Sequence, residues 1–94
     1  MKQQLFVVFD LKSKTTASQI IVAKDAYVCK RNLITYVDGI AKTIKQCPQD
    51  FAVFQVGEFD DEIPSIKPVE QLEMCFSMTE VIDYAGIAAE KENS

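Results

Sequence analysis

Histidine is absent from this chain, and glycine, proline and cysteine occur only three times each in 94 residues. Without an imidazole, the usual zinc sites and every histidine-dependent mechanism are excluded. Cys29, Cys47 and Cys75 are odd in number and lack CxxC spacing, so no disulfide framework is expected. A reducing cytoplasm fits them, and each reads best as a small buried apolar side chain. So few Gly and Pro in a chain that is 48% hydrophobic indicate a globular protein, not a disordered one. No run reaches the roughly 18 consecutive apolar residues of a membrane span. The opening "MKQQLFVVFDLKSK" meets Asp10 and two lysines at once, with no small-residue cleavage site, so it reads as structure and not as a signal peptide. The length suits one domain, expected over residues 1–89, with a flexible acidic tail at 90–94.

The net charge of −4 hides a split. Residues 1–47 carry eight of the ten basic residues and three acids, while residues 48–94 carry two lysines and eleven acids. Such a chain can show a basic surface to a polyanion while staying acidic overall, although the same split also arises as a pattern of solvation.

"LFVVFDL" (5–11) is rich in β-branched and aromatic residues and reads as a strand that is apolar on both faces: Leu5, Val7 and Phe9 on one, Phe6 and Val8 on the other. "QIIVA" (19–23) follows a polar loop as a second strand. Ala26, Cys29, Leu33, Val37, Ile40 and Ile44 then recur at spacings of three and four, which predicts one long helix, capped by Asp25 and stopped by Pro48. Its wet face would hold Arg31, Thr35, Asp38, Lys42 and Lys45. Gly39 in its middle suggests close packing on a neighbour. "FAVFQVGEF" (51–59) is a third strand, with Gly57 marking a bulge or bend. A fourth places Leu72, Met74 and Phe76 on one face. Ser77 and Glu80 resemble a capping box for a short C-terminal helix over Met78–Ala89. The expected fold is therefore α+β: a four-stranded, mostly antiparallel sheet in the order ββαββ with the long helix packed on it. Two helices of this size leave part of a doubly apolar sheet uncovered, which marks a partner surface for a second copy of the chain or for stacked bases.

The strongest candidate for chemistry is the acidic stretch Glu58, Asp60, Asp61 and Glu62. Carboxylates on one side of a strand can hold a divalent ion. "DDEIPSI" lacks the central glycine and alternate ligands of a calcium loop, and a turn started by Asp60 and Asp61 and shaped by Pro64 accounts for it more simply. The serines have no base partner, there is no glycine-rich phosphate loop, and Tyr27 and Tyr36 read as residues at a core boundary. The expectation is a protein without catalytic activity, cofactor or metal.

The same residues carry a likeness. Val8, Phe9, Asp10, Leu11 and Lys12, followed by Pro48, Asp50, Phe51, Val53, Phe54, Val56, Gly57, Glu58, Phe59, Asp60 and Asp61, resemble the small nonstructural protein of gokushoviruses, single-stranded DNA phages of the Microviridae. The likeness spans roughly residues 5–70. It departs at Glu62, Ile63 and Pro64, where that family often has a Thr-Gly turn. It implies a DNA-binding, nonstructural protein of viral genome replication, made in the host bacterial cytoplasm and absent from the virion, and it brings no catalytic residue.

The side chains allow such a role. Lys12, Lys14, Lys24, Arg31, Lys42 and Lys45 can neutralise phosphates, with an affinity that falls steeply with salt. Phe6 and Phe54, with Phe9 and Phe59, would stack unpaired bases unless they belong to the core. The reading is a homodimeric accessory protein that binds single-stranded DNA. The alternative is a homodimeric module that docks a host or phage replication protein without touching DNA.

Overall fold

The computed structural model of the chain describes residues 2–83. In order they form β1 (Lys2–Asp10), β2 (Thr15–Thr16), β3 (Ile21–Ala23), α1 (Ala26–Thr35), α2 (Lys42–Gln46), β4 (Phe51–Asp60), β5 (Ser65–Pro68) and β6 (Met74–Ser77), with 3-10 turns at Val37–Gly39 and Pro48–Asp50. A last helix, α3, starts at residue 78 and is described as far as residue 83. Its expected end near Ala89, Tyr84 and the 90–94 tail lie outside the described residues.

The fold is α+β and the sheet is antiparallel, but it has six strands, not the expected four. The reason lies at its edges. β1 and β4 pair along their full length in the centre, from Lys2↔Asp60 to Asp10↔Phe51. The outer row on β1 is broken into β3, opposite Gln4–Phe6, and β2, opposite Phe9–Asp10. At the gap the Val8 amide donates to the Ser18 hydroxyl at 2.9 Å, and the Val8 carbonyl accepts from the Ala17 amide at 2.7 Å, so a side chain replaces a strand partner. The outer row on β4 is likewise split into β5, opposite Gly57–Phe59, and β6, opposite Ala52–Phe54.

The expected long helix is also broken. Its start is as expected: Asp25 caps α1, its carboxylate accepting from the Val28 amide at 2.9 Å. Thr35 then turns its hydroxyl back onto the Arg31 carbonyl at 3.0 Å, and the backbone reaches an extended conformation at Ile40 before α2 begins. The β-branched and aromatic run Ile34–Val37 followed by Gly39 has too little helix propensity to hold the turn. Gly39 is thus a helix-breaking position and not a packing contact, since a Cβ there would meet nothing within 4 Å.

α1, α2 and α3 all lie on one sheet face. Phe6, Val8, Phe51, Val53 and Phe76 from the strands meet Cys29, Ile44, Met78 and Val81 in one core, with Leu33 and Ile40 packed against it. Full burial of each large side chain stabilises the fold by about 1.5–3 kcal/mol. Cross-strand pairing puts Leu5, Val7, Phe9, Val22, Phe54 and Met74 on the opposite face. Two bulges interrupt the alternation. One inserts Val56 opposite Leu5/Phe6, next to the glycine that signalled it, and the other inserts Cys75 between Met74 and Phe76. The second one corrects the expectation that Leu72, Met74 and Phe76 share a face: Phe76 is buried, while Met74 is 57% exposed on the far side.

The glycines separate these effects. A Cβ at Gly57 would sit 2.8 Å from the Lys67 carbonyl oxygen of β5. Gly57→Ala is expected to lower stability by about 1–3 kcal/mol, and Gly39→Ala to raise it by about 0.4–1 kcal/mol, both read from urea unfolding midpoints.

Candidate nucleic-acid interface

Lys12 and Lys14 stand at one end of the sheet, Lys24, Arg31, Lys42 and Lys45 lie in the helices or just before them, and Lys2 and Lys67 stand at the opposite sheet end. At the end of β1 the Asp10 carboxylate accepts from the amides of Lys12 (2.9 Å) and Ser13 (3.1 Å), and the Lys14 amide donates to the Asp10 carbonyl at 2.8 Å. These bonds, the Ser13 amide foremost, hold the Asp10 carboxyl below its ordinary value. The turn places Lys14 in the left-handed region at φ 59°. The Leu11 amide bonds the Asp50 carbonyl at 2.9 Å, so the chain leaving α2 through the 3-10 turn meets the Lys12–Lys14 turn at the same sheet end.

Lys24, Arg31 and Lys42 are exposed along the helix layer, and Lys45 is half-buried on α2. Lys30 is engaged elsewhere. Its ammonium contacts Glu80 of α3 at 3.1 Å and lies 5.9 Å from the centre of the Phe76 ring. Glu80 also accepts from the Ser77 amide at 3.1 Å, and Ser77 accepts from the Thr79 amide at 3.2 Å, the expected cap of α3. The Lys30 hydrogen bond, followed by that from Ser77, holds the Glu80 carboxyl below its ordinary value.

The expected stacking residues do not join these cations. Phe6 is fully buried beneath the helices at 0% exposure and presents no ring to a base. Phe54 lies on the opposite sheet face, edge-on to Phe9 with ring centres 5.7 Å apart at 83°. The aromatic residue that does share a surface with cations is Tyr27, beside Lys30 and Arg31, and Tyr36 is exposed at the end of the same helix. Each is 72% exposed, which corrects their reading as core-boundary residues. A shallow groove of about 260 Å³ runs along α1 between Tyr27, Lys30, Arg31, Ile34 and Thr35. A signal for Tyr27 existed in the sequence: it stands four before Arg31 and seven before Ile34, off the Cys29–Leu33 stripe.

The acidic stretch forms a turn. The Asp60 carboxylate accepts from the Glu62 amide at 3.0 Å and its carbonyl from the Ile63 amide at 3.2 Å, and the chain returns as β5. Lys2 pairs in register with Asp60, and Lys67 with Glu58, so two of the carboxylates face cations across the ladder. Cys29 is buried, which pushes its thiol up to about 11; Cys47 and Cys75 are half-buried and also free. Among the described residues no helix is long and apolar enough to cross a membrane.

A profile of the Phage ORF5 protein family matches residues 3–81, from the start of β1 into α3. The chain belongs to that family. Comparison with curated proteins and with solved structures gave no match.

The Lys30–Glu80 contact has a titration consequence. Glu80's folded value lies below 4.5, so its contribution to stability is complete above pH 4.5 and is lost as pH falls through the lower folded value. Lys30→Met is expected to raise the Glu80 value while leaving it short of 4.5, because the Ser77 amide remains; carboxyl NMR titration reads both.

Proposed function

We propose that this phage protein is a non-catalytic accessory factor that binds single-stranded DNA across its helix layer. Arg31, Lys24, Lys42 and Lys45 meet phosphates there, Lys12 and Lys14 extend the track at the sheet end, and Tyr27 and Tyr36 offer ring faces to unpaired bases. The observation that carries this reading is Tyr27, 72% exposed on a groove that it shares with Lys30 and Arg31, with Tyr36 equally exposed at the end of the same helix. Exposed aromatics beside a basic track suit single strands, whose bases are free to stack; stacking contributes about 1–3 kcal/mol per base and tolerates any sequence.

The charge split supports the same reading. Residues 24–47 hold five cations and two acids, Asp25 and Asp38, of which Asp25 is occupied as a helix cap. The acidic β4–β5 turn stands at the other end of the central strands from the Lys12–Lys14 turn, and there Glu58 and Asp60 pair across the ladder with Lys67 and Lys2. A role in genome replication of a gokushovirus-like phage, in the cytoplasm of the infected bacterium and outside the virion, follows from the likeness of the two sequence blocks around Asp10 and Gly57.

The test is fluorescence anisotropy of a labelled single-stranded oligonucleotide at two salt concentrations, beside a duplex of equal length. Binding should weaken with salt, with a slope of about 0.7 per phosphate neutralised, and favour the single strand. Arg31→Glu with Lys42→Glu should abolish it with the circular dichroism unchanged, and Tyr27→Ala should weaken it about tenfold. Absence of binding at low salt, or binding indifferent to the double charge reversal, overturns the reading.

A further inference from the structure

The sheet face turned away from the helices carries no helix among the described residues; Leu5 and Val7 at its centre are buried, and Val22, Ile66, Leu72 and Met74 leave apolar surface exposed around them. Register puts Val7, Phe9, Phe54 and Val22 on it, and Leu72 and Met74 stand at its rim at 62% and 57% exposure. A groove of about 250 Å³ between Val7, Phe9, Thr16, Phe54, Val56 and Leu72 opens in its middle. No strand position on this face is charged. The cross-strand charged residues Lys2, Glu58, Asp60 and Lys67 all project to the helix side of the ladder.

We propose that two copies of the chain pair through this face, sheet against sheet, leaving both helix layers outermost. Three features select a second copy over other occupants. A polyanion finds no cation on the face to hold its phosphates, and a charged peptide would lose solvation without gaining a partner. An uncharged apolar face is complementary to itself, as a twofold interface requires. The area is sufficient. Four rows about 4.8 Å apart and the nine residues of β1 at about 3.4 Å each span roughly 19 by 30 Å. That outline is about 600 Å² per copy and about 1,200 Å² for the pair, at the lower edge of specific stable interfaces, and its contact is supplied by the exposed residues Val22, Ile66, Leu72 and Met74 because Leu5 and Val7 are already buried. The rim side chains Leu72 and Met74 are the knobs, and the groove beside Phe54 is the receptacle. Pairing this way is independent of the DNA reading, and it gives one particle two helix-layer surfaces facing opposite directions.

The experiment is sedimentation equilibrium of the full chain without DNA, from about 1 to 100 μM. A species of twice the 10.6 kDa chain mass is expected. Leu72→Lys with Met74→Lys should weaken the dimer at least about hundredfold, since four charges would be buried per interface. Both positions are exposed, so the circular dichroism of the chain should not change; Val22→Lys, 54% exposed on the same face, repeats the test at a second place. A full chain that stays monomeric throughout overturns the proposal and leaves the face to residues 84–94 or to another ligand. A dimer that survives both the double variant and Val22→Lys overturns it as well. Tyr27→Ala leaves the dimer intact, so the outcome here is separate from that of the DNA titration.

Discussion

Nine residues of β1 pair with β4, and that ladder commits every strand side chain to one of two faces. With a period of two, Phe6 and Val8 go under the helices together with Val53 and Phe51, while Val7 and Phe9 go to the other side with Phe54. A slip of one residue would exchange the two sets. The bulge at Val56 confines the irregularity to one point, and Gly57 lets β5 approach where a side chain would strike the Lys67 carbonyl. Helix placement follows, because α1, α2 and α3 need the Phe6–Val53–Phe76 surface to bury their own apolar residues.

Charge is distributed by the same geometry. The chain enters the helix layer after β3 and leaves it into β4 at the sheet end held by the Asp10 turn, so the cation-rich middle of the sequence is spread over the helices and over that end. Four acids of the second half, Glu58, Asp60, Asp61 and Glu62, gather at the opposite end around the turn after β4, while Glu80 lies on α3 with Lys30. The two proposals therefore concern surfaces on opposite sides of the sheet. Tyr27 with Lys30 and Arg31 lies on the outside of the helices, and a face with no charged strand position lies beneath the strands. One side suits a solvated polyanion and the other suits exclusion of water.

Much of this was readable in the residues. Asp25 and Ser77–Glu80 cap helices as expected, since capping depends on atoms within three residues of one another. The acidic stretch around Asp60 is a turn for the same local reason. Less legible were features that depend on a partner strand. Ser18 substitutes for a strand neighbour of Val8, and Cys75 bulges because β6 must meet β4 out of simple alternation. Neither can be inferred from a strand's own pattern. The long helix breaks at Tyr36–Ala41 because helix propensity is weak there and Gly39 has no close packing contact to offset its cost, which apolar spacing alone does not register.

By itself the sequence determined the fold class, the starts of α1 and α3, the apolar nature of both faces of β1, the position of the acidic turn and the family likeness in the blocks around Asp10 and Gly57. These rest on local propensity and on side-chain period. Only the tertiary structure decided that Phe6 is core while Phe54 faces away, and that Tyr27 and Tyr36 are exposed. It also decided that Lys30 is held by Glu80. Each of these depends on which sheet face the helices cover. A strand that is apolar on both sides carries no mark of that choice, so it is made when the helices pack.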